Sequence, residues 1–241
     1  MELDIANSMI TGDLAGAAFE NLSSLRFLLM DGVQFNSTIP SEIARLPSLE
    51  YLFATDAMIT GDLSYMESMP VIFEHWIDRN PGLGGTIPSF LGSLTTLQSF
   101  SIAECGFTGT IPESLGNLGL MQQMWLYGNQ LSGEIPASLG NLSFMRIFEV
   151  EENNLSDSMP QSICDNLSNG MLRVLGADCD KLDVSSSTNT FSWHGRKRGT
   201  ERFEPFRFHL TSLSFSRNRI LHRSQCPCCT CCAVEECLLQ N

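Results

Sequence analysis

One apolar slot returns at a fixed interval along most of the chain, and that interval decides what the chain can fold into. Leu14, Ile39, Leu63, Ile87, Ile111, Ile135 and Met159 share the slot, the first step being 25 residues and the next five 24. A period of this length marks a stacked-repeat solenoid, because each unit is too short to bury its own apolar row.

The slot sits in a recurring phrase, clearest in Gly85-Thr86-Ile87-Pro88, Gly109-Thr110-Ile111-Pro112 and Gly133-Glu134-Ile135-Pro136. Upstream lies an apolar ladder, Met121, Met124, Leu126, Asn129 and Leu131 in one copy and Met145, Phe148, Val150, Asn153 and Leu155 in the next. Downstream come Leu115-Gly116-Asn117-Leu118 and Leu139-Gly140-Asn141-Leu142. The alternation within the ladder puts apolar side chains on one face of a short strand, and the Gly and Pro beyond it turn the chain back.

Counting in steps of 24 predicts two core columns. One holds Leu28, Leu52, Trp76, Phe100, Met124, Phe148 and Leu172; the other holds Met30, Ala54, Ile102, Leu126, Val150 and Val174. The second column fails at Asp78, where a carboxylate demands either a bulged strand or an outward turn near Arg79. The slot for the turn after each strand reads Ser8, Val33, Ala57, Pro81, Cys105, Asn129, Asn153 and Ala177, so only two Asn are expected there.

Over residues 1–184 this pattern resembles the leucine-rich repeat, in its plant-type 24-residue form. The resemblance implies an α/β-type solenoid: a curved leucine-rich-repeat stack with a parallel concave β-sheet, an irregular or 3₁₀ convex side and about seven repeats. It implies recognition rather than catalysis, in a receptor-like or secreted protein.

Charge divides the chain. Residues 1–184 carry 23 acidic and 6 basic side chains, whereas 185–225 carry 2 acidic and 8 basic. An acidic solenoid repels phosphates, so nucleic acid is excluded as its partner. No run of 18 apolar residues occurs, so no membrane span is expected in this chain. Residues Met1–Ile5 already read as the tail of a repeat strand, without a signal peptide, and the Cys-containing N-terminal cap usual in secreted members of the family is missing. The expectation is a fragment or an incomplete gene model of a secreted or cell-surface protein, with a cytoplasmic location as the alternative.

Nine cysteines fall into three groups. Cys105 occupies the Asn slot and is expected to be a buried structural thiol. Cys164 and Cys179 flank the last half-repeat and are disulfide candidates that would staple it in an oxidising compartment. The tail 226–241 holds Cys226-Pro227-Cys228-Cys229-Thr230-Cys231-Cys232; its spacing does not match the paired C-x-x-C of structural zinc, and no metal or other cofactor is assigned. An ending of this kind resembles leucine-rich-repeat proteins of diatoms, in which the Ala-Asp-Cys element and the tail lie closer together. Three readings compete for the basic segment 185–225: a disordered linker, a patch built on Arg196-Lys197-Arg198, and a retained intron, the last favoured because removing 186–225 restores the compact ending. Sequons at Asn21, Asn36, Asn141, Asn154 and Asn166 are glycosylation candidates.

The same count assigns the outward columns. It places Phe27, Tyr51 and His75 in one, Phe53, Ile77, Trp125, Glu149 and Arg173 in the next, and Arg79, Tyr127, Glu151 and Leu175 in a third. Two aromatic clusters result, Phe27 with Tyr51 and Phe53, and Trp125 with Tyr127 beside Glu149, Glu151 and Glu152. Exposed aromatics anchor binding surfaces, and the carboxylates favour a basic or polyhydroxylated partner. The candidate ligand-binding residues are therefore Phe27, Tyr51, Phe53, His75, Arg79, Trp125, Tyr127, Glu149, Glu151 and Arg173. No catalytic residue is assigned: no nucleophile with a base, and no phosphate-cradling loop, stands among the repeats.

The function expected is non-catalytic recognition of a protein, peptide or glycan on the concave face. The alternatives are an extracellular or wall scaffold crosslinked through Cys, and an intracellular scaffold with reduced thiols.

Overall fold

The computed structural model describes residues 1–69, 71–156, 159–169 and 171–177. Cys179, the basic segment 185–225 and the tail 226–241 lie outside the described residues.

Eight parallel three-residue strands form one face: Glu2–Asp4, Phe27–Leu29, Tyr51–Phe53, Glu74–Trp76, Ser99–Ser101, Gln123–Trp125, Ile147–Glu149 and Val174–Gly176, paired in that order. A second parallel sheet joins Thr60–Gly61, Gly82–Thr86, Gly106–Gly109, Gln130–Gly133 and Asn154–Leu155. Short 3₁₀ segments, among them Ser89–Ser93, Glu113–Asn117 and Ala137–Asn141, carry the chain across the other side, with α-helices at Ser41–Ala44 and Gln161–Ser168. The chain is a curved solenoid of stacked repeats.

The strands are short because the backbone turns away three residues past each of the first seven. Asn7, Gly32, Asp56, Arg79, Glu104, Gly128 and Glu152 all take left-handed φ values between 53° and 69° at the same place in successive repeats. Just inside that turn, Asn80, Asn129 and Asn153 are buried and satisfy backbone that the sheet leaves open. The amide of Asn129 donates to the carbonyls of Ile102, Leu126 and Tyr127 while its oxygen accepts from Phe107 N. Asn80 goes further, donating to Ala54, Ile77 and Asp78 and accepting from both Ala57 N and Ile59 N.

Gly109 and Gly116 are needed at their positions for different reasons. Gly109 has φ +76°, a conformation that costs other L residues about 1 kcal/mol or more. Gly116 instead gives room: a Cβ there would lie 2.6 Å from the Ser138 carbonyl oxygen of the next repeat. Serine ladders tie the same side together, Ser114 Oγ donating to Ser89 O at 2.6 Å, Ser138 Oγ to Glu113 O at 2.7 Å and Ser162 Oγ to Ala137 O at 2.9 Å.

The core column runs through Leu28, Leu52, Phe100, Met124 and Phe148, each fully buried. Burying a side chain of this size stabilises by roughly 1.5–3 kcal/mol. In the fourth strand, however, the residue paired with Leu52 and Phe100 is His75, not Trp76. The step from Leu52 to His75 is 23 residues and the step onward to Phe100 is 25, so the strand is shifted by one although Leu63 and Ile87 remain 24 apart. A one-residue shift sends every side chain of a strand to the opposite face. His75 and Ile77 are accordingly buried, contrary to the outward positions expected, and Trp76 and Asp78 face outward. Asn80 rather than Pro81 takes the turn slot, which therefore holds three Asn.

The last repeat corrects a second expectation. The Gln161–Ser168 helix lengthens the crossing, so Leu175, not Leu172, pairs with Phe148 and enters the core column. Leu175 is buried rather than outward, Val174 leaves the second core column for the outer face, and Arg173 precedes the strand, donating its backbone N–H to Arg146 O.

Candidate functional site

The eight-stranded sheet presents its first and third strand positions outward, and the register shift decides what stands there. Phe27 and Tyr51 stack face to face, their centroids 4.4 Å apart and their planes 4° from parallel. Tyr51 meets Phe53 at 6.5 Å, Phe53 meets Trp76 edge-on at 5.0 Å, and Trp76 meets Trp125 edge-on at 5.6 Å. Five half-buried rings thus form one unbroken run across the repeats. Counting by 24 splits this run into two clusters because it buries Trp76.

Trp76 and Trp125 belong to strands that are not neighbours; the Ser99–Ser101 strand lies between them. The buried Ser99 and Ser101 are too small to hold the indoles apart, and Trp76 Nε1 donates to Ser99 Oγ at 2.7 Å. Beside this bridge, Glu74, Gln98, Ser99, Gln122 and Gln123 line a shallow hollow of about 60 Å³. Gln122 Nε2 donates to Gln98 Oε1 at 3.1 Å, and burial raises the Glu74 carboxyl above its usual range.

One edge of the ladder is acidic. Asp31 accepts from Thr55 N at 2.8 Å, and Asp78 accepts from Ala103 N at 2.8 Å and from Ser101 Oγ. Burial lifts Asp78 to about 6 despite those bonds and the neighbouring Arg79. Tyr127 stands among Asp78, Glu104, Glu149 and Glu151, and burial together with those carboxylates holds its hydroxyl well above the usual range. The opposite edge, one residue ahead of each strand, carries Arg26, Gln98, Gln122, Arg146 and Arg173. There Arg26 forms a bidentate ion pair with Glu50, at 3.0 and 2.5 Å, and lies over the Phe27 ring.

Of the residues expected at a binding surface, Phe27, Tyr51, Phe53, Trp125, Tyr127, Glu149 and Glu151 share the outer face. His75 does not. It is fully buried, its Nε2 bonded to Tyr65 OH at 2.7 Å and its Nδ1 without a partner among the described residues. Burial drives it down to about 3, so it stays neutral. Arg79 occupies a left-handed turn position just past its strand, and Arg173 sits on the far edge. The residue missed is Trp76; its signal was the apolar Ile77 directly before the misfitting Asp78.

Cys105 is a free thiol in the Asn slot, its Sγ 3.4 Å from Ile77 O, and burial pushes it up to about 12. Cys164 is buried and disulfide-bonded. Asn21, Asn36, Asn141 and Asn154 are exposed, whereas half-buried Asn166 donates its amide nitrogen to Gly140 O at 2.9 Å. None of the five sequons lies on a strand of the aromatic-bearing sheet. Among the described residues no helix is long and apolar enough to cross a membrane.

The family model described as Leucine Rich Repeat matches residues 96–118 and 121–142. Among solved structures, the chain is similar to the LRR ectodomain of the Arabidopsis thaliana membrane receptor kinase GASSHO1/SCHENGEN3, solved with CASPARIAN STRIP INTEGRITY FACTOR 2. Identity is 31%, covering 74% of this chain and 21% of that one, at a TM-score of 0.64. It is similar also to the plant peptide hormone receptor RGFR1, solved with RGF2, at 26% identity over 73% of this chain and 27% of that one, TM-score 0.65. The Arabidopsis receptor kinase HAESA, solved with the peptide hormone IDA and the co-receptor SERK1, gives 28% identity over 73% and 29%, TM-score 0.67. The chain spans less than a third of the length of each of these three. No curated protein matches it.

Proposed function

From the premise that this chain is a leucine-rich-repeat protein, we propose that it is a non-catalytic recognition module that binds a protein or peptide along its concave sheet. The carrying observation is the unbroken aromatic run from Phe27 to Trp125, which lies on the outer face where no repeat needs it for its core. Large rings that remain half-exposed in a line supply contact area with little rotamer entropy to lose. The plant receptors with similar repeats were solved with peptide hormones, which supports an extended polypeptide as the ligand class.

A receptor-like place at the cell surface fits the same reading. The disulfide at Cys164 belongs to an oxidising compartment, and the sequons leave the aromatic sheet unencumbered. Free Cys105 is consistent with this, since burial keeps it out of exchange.

Selection from a displayed library of linear peptides tests the proposal. Peptides enriched on the full chain should bind a Phe53→Ser/Trp125→Ser variant at least tenfold more weakly. Enriched peptides that bind both proteins equally would place recognition elsewhere.

A further inference from the structure

The aromatic run divides two unlike edges, and this asymmetry carries information about the ligand. Along the ends of the strands stand Asp56, Glu104, Glu149, Glu151 and Glu152, with Arg79 the one basic side chain on that edge among the described residues. Along the beginnings of the strands stand mostly amides and arginines, Arg26, Gln98, Gln122, Arg146 and Arg173, with two carboxylates among them, Glu50 paired to Arg26 and the half-buried Glu74. The hollow lined by Glu74, Gln98, Ser99, Gln122 and Gln123 lies along this second edge, and its Ser99 accepts from Trp76 Nε1.

Resting on the reading of the concave sheet as a peptide-binding surface, we infer that its ligand is an extended cationic peptide with Lys or Arg at alternate positions. An extended chain points successive side chains to opposite sides, about 6.6 Å separating those on one side. Laid along the ladder, it aims every second side chain at the acidic edge. Lys and Arg suit that path because their long apolar stems cross the faces of Phe53, Trp76 and Trp125 while their charged heads reach the carboxylates beyond. An acidic ligand would bring its charge against the same carboxylates, and a small apolar one would leave them unused. The amide groups of Gln98, Gln122 and Gln123 offer both donors and acceptors, which fits the main chain of such a peptide rather than a further charge.

The composition of the selected peptides, read on the full chain at two salt concentrations, tests the inference. Enriched sequences should carry Lys or Arg at alternate positions, and their affinity should fall at least tenfold between 50 mM and 500 mM salt, conditions chosen to span strong and weak screening, a Debye length of roughly 14 Å against 4 Å. The conservative variant Asp56→Asn/Glu104→Gln/Glu149→Gln/Glu152→Gln, whose positions are exposed or half-buried, should bind those peptides about tenfold more weakly and with a flatter salt response. Enrichment of neutral or acidic peptides that still depend on Phe53 and Trp125 overturns the cationic ligand while leaving peptide recognition standing. Failure to enrich any peptide dependent on those rings overturns both.

Discussion

Trp76 and Trp125 touch edge-to-face, 5.6 Å between centroids, across an intervening strand whose outward residues are Ser99 and Ser101. The contact exists because one strand is shifted by a single residue and two serines leave space above themselves. Replacing Trp76 by Ser opens the run at its middle and removes the donor to Ser99 Oγ. Peptides selected on the full chain should lose at least tenfold in affinity, read by titration calorimetry. Since the indole is half-exposed, its truncation should cost roughly 1–2 kcal/mol of stability, well below that of a core Trp.

The pH dependence of stability should carry two opposed contributions. His75 is held at about 3, below its ordinary 6.5, so the unfolded chain binds the extra proton and stability is lost as pH falls from 6.5 toward 3. Asp78 is held at about 6, above its ordinary 3.8, so its contribution is present at low pH and lost as pH rises from 3.8 to 6. Between pH 4 and 6 the two slopes, each ~1.4 kcal/mol per pH unit, oppose one another. Relative to the parent chain, Asp78→Asn should gain stability as pH rises through this window and His75→Leu should lose it. Urea unfolding at pH 4, 5 and 6 reads both; parallel profiles for all three proteins would contradict the placement of both residues.

Asn80 should be the most costly turn residue to truncate. Its amide makes five hydrogen bonds to backbone from two repeats. In Asn80→Ala, Ala54 O, Ala57 N and Ile59 N lose their partner, whereas Asp78 O keeps Asp56 N and Ile77 O keeps the Cys105 thiol. A loss of about 3 kcal/mol or more is expected by denaturant unfolding. Pro81→Ala, one residue away, should cost under 1 kcal/mol; the reverse ranking would restore the unshifted register.

Thiol and glycan mapping of natively sourced protein addresses the compartment. Cys105 should resist alkylation until the chain unfolds, because burial holds it near 12, whereas Cys164 should be oxidised. If the sequons are used, occupancy should favour Asn21, Asn36, Asn141 and Asn154 over Asn166, whose amide nitrogen already donates to Gly140 O. A reduced Cys164 would set aside the cell-surface reading.

The repeat, the parallel sheet and ten of the core positions were legible from periodicity alone, because Leu28, Leu52, Phe100, Met124 and Phe148 in one column and Met30, Ala54, Ile102, Leu126 and Val150 in the other keep their spacing. Trp76 was not legible by counting. Between Leu63 and Ile87 the chain drops a residue before the strand and regains it after Asn80, so the landmarks on either side give no warning. The local pattern did carry the answer: Ile77 supplies the apolar residue that Asp78 cannot, and Asn80 supplies a turn amide that Pro81 lacks. At the other end the Gln161–Ser168 helix adds three residues to a repeat, which moved Arg173 and Leu175 out of their expected columns. Periodicity locates repeats well, but the face a side chain takes is decided by hydrogen bonds one residue at a time.

Footprinting by hydroxyl radicals, with and without a selected peptide bound, tests the central claim most directly. Ligand should protect Tyr51, Phe53, Trp76 and Trp125 together and leave the exposed Leu120 and Phe144 on the flank unchanged. Protection of Leu120 and Phe144 with the four concave rings unaltered would contradict the account.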